Sequence, residues 1–141
     1  MRGAHCLRIW SSTQSVIALS SGEAEYYGLT KAGCVGLGIK SLYKDFGHDM
    51  QIMMNLHTDS TAAKGIASRK GLGKLRHIEV QYLWLQGHIA KRDVILRKIL
   101  GVKNPADTMT KYFAVIDIAR HMQTMNMKYT VRRSGAAPAI V

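Results

Sequence analysis

The segment "QIMMNLHTDSTAAKGIAS", residues 51–68, contains the change of pattern on which the fold prediction rests. Residues 51–58 are largely apolar and of strand length, and this run stops at Asp59. A short helix is predicted from Ser60 onward. In α/β proteins strands alternate with helices, and ligands bind beyond the carboxyl ends of the strands. Asp59 is therefore a candidate functional residue, although an aspartate at this junction could equally be the helix N-cap.

Strands and helices are predicted on both sides of this segment. Before it, two short apolar runs read as a hairpin and a helical spacing of apolar residues follows. After it, a strand lies between predicted helices. The predicted elements are a hairpin of 5–10 with 15–20, helices over 21–46, 77–91, 105–111 and 115–126, and a strand over 93–100. This alternation after a hairpin predicts an α/β fold with a mixed sheet flanked by helices.

The chain carries a large excess of positive charge. Its 141 residues, the length of one domain, include 20 Lys and Arg against 9 Asp and Glu, a formal net charge of +11. Such an excess attracts polyanions, and no apolar run approaches the length of a bilayer span, so nucleic acid is favoured as a partner over a membrane. A solubilising surface, or a basic subunit of a larger assembly, is the alternative interpretation.

The cysteines and the first residues bear on the compartment. Cys6 and Cys34 have neither metal-ligand spacing nor the density of a disulfide framework, so an intracellular location, cytoplasmic or nuclear, is expected. The first 22 residues contain no acid, which superficially resembles an organelle transit peptide. Because "IWSSTQSVIALSS" (9–21) alternates like a strand, organelle import is the weaker interpretation.

Two glutamates at the start of the first long helix are assigned different roles. Ser20 and Glu23 have the spacing of a capping box, so Glu23 is predicted to be structural. Glu25 lies on the apolar stripe of the helix, so we expect its carboxylate to face the sheet, where it must be paired or bind a metal. The alternative is a frayed first turn that leaves Glu25 in solvent.

A third acid, Asp107 in "NPADTMTK" (104–111), follows the proline that begins a helix. Taken alone it compensates the helix dipole. If Glu25, Asp59 and Asp107 converge, pairs of carboxylates about 4 Å apart repel by about 4 kcal/mol at an effective dielectric of 20, so convergence requires protonation, a Lys or Arg, or a divalent cation. Ligand sets made only of oxygen select Mg²⁺ or Mn²⁺, and two-metal phosphodiester hydrolysis is the matching chemistry.

Four motifs, in this order, carry a family resemblance: "TQSVIALSSGEAEYYGL" (13–29), "LHTDSTAAKGIAS" (56–68), "RHIEVQYLWLQ" (76–86) and "NPADTMTK" (104–111). Over about residues 4–125 the chain resembles the ribonuclease H domain of copia-type retrotransposon Pol polyproteins. The resemblance implies a ribonuclease H fold and Mg²⁺-dependent cleavage of the RNA strand of RNA/DNA hybrids. It places the family's catalytic and metal-binding acids at Glu25, Asp59 and Asp107.

The chain departs from this family at its start. The family has a further catalytic aspartate on a central first strand, and here no acid precedes Glu23. We therefore expect an incomplete ribonuclease H-like domain over 1–126, lacking that strand, and a flexible tail over 127–141. The sheet is expected to rearrange or to pair with another polypeptide, such as the upstream reverse transcriptase region, unless a longer reading frame supplies the strand. An inactive remnant that binds nucleic acid or serves as a structural subunit is the alternative function.

Positive residues are concentrated between the second and third motifs. Nine positions, 69–77, include Arg69, Lys70, Lys74, Arg76 and His77 around two glycines. We call 69–77 the basic segment. Its cations and backbone amides are suited to a phosphate chain, and the predicted partner is an RNA/DNA hybrid. A solvated surface loop is the alternative.

Overall fold

A computed structural model describes residues 5–48, 52–71, 73, 77–78 and 80–128. The chain divides into two compact units. The larger unit comprises Thr13–Val102 and contains the sheet. The smaller unit combines the described residues before Thr13 with those from Lys103 onward. The predicted division into a domain over 1–126 and a tail stays a prediction, because 129–141 lie outside the described residues.

The first helix, α1 (Ser21–Asp45), confirms the helix predicted over 21–46. Its N-cap is Ser20, whose side-chain oxygen accepts a hydrogen bond from the Glu23 backbone N–H at 3.2 Å. Its glycines permit close packing. A Cβ added at Gly36 would lie 2.6 Å from Met54 Cε, and one at Gly33 would lie 3.0 Å from the Trp84 ring.

A two-stranded parallel sheet forms the centre of the larger unit. Strand β1 (Met54–Thr58) pairs with β2 (Val94–Lys98), in a register that runs from Met54 opposite Val94 to Thr58 opposite Lys98. Helix α2 (Thr61–Ser68) follows β1 and begins at Ser60. These three elements confirm the strands predicted over 51–58 and 93–100 and the helix between them. Since the strands are parallel, their carboxyl ends lie at the same edge of the sheet.

One face of β1 is buried and the other is exposed. The side chains of Met54, Leu56 and Thr58 are buried, whereas Asn55 and His57 are exposed. The buried face contacts α1 and α2, and the helices supply most of the remaining core. The main core cluster consists of Tyr26, Tyr27, Leu29, Met54, Leu56, Ala63, Ile66, Ala67, Ile78, Leu85 and Val94.

The predicted hairpin of 5–10 with 15–20 is wrong. His5 is a bridge residue, and the described residues 6–20 contain no strand. The apolar side chains of this region are largely exposed, with Ile17 at 87% and Leu19 at 73%. Val16 and Ala18 are partly buried against the core, but a two-stranded hairpin is marginal in water by itself, and residues 5–10 and 15–20 belong to different units. The sheet among the described residues is therefore parallel, not mixed, although the α/β class is confirmed.

The predicted helix over 77–91 is shorter and interrupted. A 3₁₀ turn, Val80–Tyr82, precedes α3 (Trp84–Ala90), which begins at Leu83 without a side-chain cap. The Leu83 side chain has no oxygen that could accept hydrogen bonds from the first backbone N–H groups of the helix. The sequence therefore does not mark where α3 begins. Tyr82 and Trp84 are partly buried and pack against the core.

The smaller unit contains one α-helix among its described residues. Helix α4 (Val115–Thr124) corresponds to the helix predicted over 115–126. The helix predicted over 105–111 is instead a 3₁₀ helix, Pro105–Met109. The Thr108 hydroxyl donates to the Pro105 carbonyl at 2.7 Å, a local bond of the kind that competes with α-helical pairing. No helix of the described residues has both the length and the apolarity needed to cross a bilayer.

Candidate functional site

Asp59 lies at the carboxyl edge of the sheet, as predicted. Pairing continues one residue past β2, where the Ile99 N–H donates to the Thr58 carbonyl at 3.0 Å. The alternative capping role is excluded, because Ser60 caps α2 and its side-chain oxygen accepts from the Ala63 N–H at 3.1 Å. Asp59 is half-buried and lies beside Gly101. A Cβ added at Gly101 would lie 3.3 Å from Asp59 Oδ2.

The N-termini of α1 and α2 approach each other closely near this acid. A Cβ added at Gly22 would lie only 2.5 Å from Ala62 Cβ. Both residues belong to the first turns of their helices. The first turn of α1, which carries Glu23 and is followed directly by Glu25, therefore lies beside the first turn of the helix that follows Asp59. Helix N-termini carry partial positive charge, which acidic side chains offset.

The two glutamates of α1 differ in burial. Glu25 is exposed, so the prediction that its carboxylate points toward the sheet is wrong, although the first turn of α1 is formed and capped and not frayed as in the alternative. Glu23 is fully buried instead. The sequence periodicity placed Glu25 on the core stripe, but Tyr26 and Tyr27 fill the core at this level and turn Glu25 outward. An exposed carboxylate is not excluded from metal binding, so Glu25 as a ligand stays a prediction.

Glu23 is held by three hydrogen bonds. Tyr27 Oη donates to Oε1 at 2.7 Å, and the Leu19 N–H donates to Oε2 at 3.1 Å. His77 Nε2 lies 2.9 Å from the same Oε2, on a side chain that is 39% exposed. Burial alone raises the pKa of Glu23, but these hydrogen bonds and the nearby His77 charge outweigh it and hold the pKa below its usual 4.5. Glu23 is therefore a buried carboxylate stabilised in its charged form.

Asp107 belongs to the smaller unit. It lies in the 3₁₀ helix that Asn104 caps, and its Oδ2 pairs with Lys111 Nζ at 2.6 Å. Glu25 and Asp59 belong to the larger unit. Within either unit, no three described Asp, Glu, His or Cys side chains are grouped so that they could hold a metal ion. Glu25 and Asp59 therefore have no third ligand of this kind within the described part of their own unit.

The basic segment is partly described. Arg69 is half-buried at the end of α2, Lys70 is exposed, and His77 contacts Glu23. Lys74 and Arg76 lie outside the described residues. Gly71 and Gly73 have left-handed φ angles of 75° and 57°, which favour glycine.

Gln86 of α3 fixes the first of these glycines. Its Oε1 accepts from the Gly71 N–H at 2.9 Å, and its Nε2 donates to the Gly71 carbonyl at 3.2 Å and to the Ile66 carbonyl at 2.9 Å. The side chain is buried. Gln86 therefore holds the start of the basic segment, and sequence analysis assigned it no role.

The sequence gives a clearer indication of the role of Glu23 than of the role of Gln86. Ser20 and Tyr27, three and four positions away, mark Glu23 as a local hydrogen-bonding centre. His77 is 54 positions away, and no spacing rule links it to Glu23. Gln86 lies next to Leu85 on a short helix, and only a knowledge of α3's buried face would have drawn attention to it.

The fold and the site together define an α/β protein with an acid at the carboxyl edge of a parallel sheet and a basic segment nearby in sequence. The chain is 29% identical over 103 residues to the Retrovirus-related Pol polyprotein from transposon TNT 1-94 of Nicotiana tabacum. This similarity covers 72% of the chain and 8% of the polyprotein. It supports a relationship to retrotransposon Pol polyproteins. No family model and no solved structure matches the chain.

Proposed function

We propose that the chain is a ribonuclease H-like domain derived from a copia-type retrotransposon Pol polyprotein, and that it binds RNA/DNA hybrid. The observation that supports this most directly is the position of Asp59, at the carboxyl edge of a parallel sheet and outside the capping role. Ligands of α/β sheets bind at such edges. The similarity to a Pol polyprotein and the net charge of +11 agree with a polyanionic ligand. Such a function implies a cytoplasmic or nuclear location.

Nuclease activity is the finer part of the proposal. Glu25, Asp59 and Asp107 are the residues that would hold Mg²⁺ or Mn²⁺, and the ion would supply an activated water and a stabilised leaving oxygen. These carboxylates do not form a three-ligand group within either unit. The second candidate function, an inactive nucleic-acid-binding remnant, is binding without cleavage, and a cleavage assay separates the two candidates.

Binding should depend on salt and on the cations of the basic segment. We expect the chain to bind a fluorescein-labelled 20-base-pair RNA/DNA hybrid, with log affinity falling against log salt by about 0.9 for each phosphate neutralised. Lys70→Ala should weaken binding and reduce that slope by about 0.9. Lys44→Ala, which removes the same charge from the far end of α1, is the matched control. Fluorescence anisotropy at several KCl concentrations measures both quantities, and a flat salt response would contradict the proposal.

The same hybrid tests cleavage. With Mg²⁺ present and the RNA strand labelled, binding that leaves the hybrid intact would support the inactive remnant. Cleavage that Asp59→Asn abolishes would instead make the isolated chain an enzyme. Absence of both binding and cleavage would remove the nucleic-acid function altogether.

We also propose that another polypeptide completes the sheet, and that it is the upstream reverse transcriptase region of the polyprotein. Among the described residues, β1 pairs with β2 alone, so one edge of the strand has no partner strand. Such an edge is a template for a further strand. Hydrogen exchange should show β1 amides that point away from β2 becoming protected when that region is added. Amides paired with β2 are the internal control, and unchanged exchange at the open edge would refute the pairing.

A further inference from the structure

Two buried polar side chains of the larger unit hold the two ends of the basic segment. Gln86 bonds both the N–H and the carbonyl of Gly71, near the start. Glu23 contacts His77, the last residue of the segment. Burying polar groups costs free energy unless they are hydrogen-bonded, and both side chains direct bonds to this one segment. Neither is part of the proposed metal-binding or phosphate-binding set.

The described part of the segment is shaped around these contacts. Gly71 and Gly73 adopt left-handed φ angles. The Arg69 guanidinium lies over Gly73, where an added Cβ would come within 2.8 Å of Nη1. Arg69 is thus directed along the segment, beside the point that Gln86 fixes. A cation held in place loses less conformational entropy when it meets a ligand.

We propose that Glu23 and Gln86 are positioning residues, which fix Gly71 and His77 so that Arg69, Lys70 and His77 meet a nucleic-acid backbone in a set arrangement. This inference rests on the proposed binding of nucleic acid. In this proposal neither residue contacts the nucleic acid itself. Their effect on affinity passes through the backbone of Gly71 and the imidazole of His77.

The direction in which Glu23→Gln changes the affinity for nucleic acid distinguishes a positioning role from a purely electrostatic effect. Glu23→Gln removes a negative charge from the protein, so electrostatics alone predicts tighter binding to a polyanion. Loss of positioning predicts binding about five- to tenfold weaker, because the segment must be ordered upon binding. Asp45→Asn makes the same charge change on an exposed residue of α1, and we expect unchanged or slightly tighter binding.

Gln86→Met is the second variant, because it removes the hydrogen bonds to Gly71 with no change in charge. We expect it also to bind about five- to tenfold more weakly. The salt slope distinguishes positioning from reduced folding, since a smaller folded fraction lowers affinity without altering the slope. Each phosphate that the variant no longer neutralises should lower the slope by about 0.9.

Anisotropy with the labelled RNA/DNA hybrid, on the full chain over a KCl series, decides between the outcomes. If the unmodified chain binds and Glu23→Gln binds as tightly as Asp45→Asn, the inference is overturned while the proposed function stands. If the unmodified chain does not bind, the proposed function fails and the inference with it. If circular dichroism shows that Glu23→Gln is unfolded, the affinity and the salt slope of Gln86→Met test the inference instead. Unchanged affinity and slope of Gln86→Met would overturn it.

Discussion

Glu23→Ala is expected to destabilise the larger unit by about 3 kcal/mol, a large share of the stability of a domain of this size. The substitution leaves Tyr27 Oη and the Leu19 N–H without the acceptor they share. It also leaves a space in a site with no solvent access. Removing the acceptor of a buried donor such as Tyr27 Oη costs about 1–3 kcal/mol, and the cavity adds to this.

Urea unfolding followed by Trp84 fluorescence measures the change, in a Trp10→Phe background so that one tryptophan reports. Glu25→Ala is the matched control on the same turn, and because Glu25 is exposed we expect a change within about 0.5 kcal/mol. Equal effects of the two substitutions would show that Glu23 is not the buried member of the pair.

The destabilisation by Glu23→Ala should depend on pH in a definite direction. The pKa of Glu23 in the folded chain lies below its usual 4.5, so near this pH the unfolded chain binds more protons than the folded one. The stabilisation by Glu23 is therefore complete above about pH 4.5 and is lost as pH falls through the lower, folded-state pKa. The difference in unfolding free energy between the two chains should shrink below that pH, and a constant difference would contradict the assignment.

Local patterns predicted much of the fold and little of the site's geometry. Ser20 and Ser60, each three positions before the N–H that its side chain accepts, correctly marked the starts of α1 and α2. The apolar runs at Met54–Thr58 and Val94–Lys98 correctly marked the strands. These signals are local, so sequence spacing carries them.

Predictions failed where distant contacts decide the outcome. The hairpin was predicted from two short apolar runs, yet Ile17 and Leu19 are exposed and no strand forms over the described residues 6–20. Glu23 and Glu25 are two positions apart, and the choice of which one is buried depends on Tyr27 and on His77 from a remote loop. The role of Gln86 likewise depends on Gly71, 15 positions earlier. Spacing rules within one helix or strand cannot supply contacts of this kind.

Gly22→Ala is expected to destabilise the chain by about 1–3 kcal/mol, although alanine is the better helix former. The new Cβ would lie 2.5 Å from Ala62 Cβ, whereas carbon atoms pack at about 3.5–4.0 Å. Neither atom can rotate away, because each is fixed directly to a helix backbone. The two helices must therefore separate, or the strain must be absorbed elsewhere.

Two further variants test whether the contact with Ala62 causes the destabilisation. Urea unfolding measures the free energy of unfolding of each variant. Gly28→Ala, on the same helix with nothing within 4 Å of the added Cβ, should stabilise the chain by about 1 kcal/mol. Ala62→Gly should restore most of the loss when combined with Gly22→Ala, giving a coupling energy of about 1–3 kcal/mol. A Gly22→Ala chain as stable as the Gly28→Ala chain would show that the helices do not cross closely here.

The same contact sets the geometry of the candidate site. Gly22 is three residues before Glu25, and Ala62 is three residues after Asp59. A shift between the first turns of α1 and α2 therefore changes the separation of these two acids directly. If Glu25 and Asp59 share an ion, as proposed, Gly22→Ala should therefore also weaken its binding, because a metal ligand set tolerates displacements of only a few tenths of an ångström.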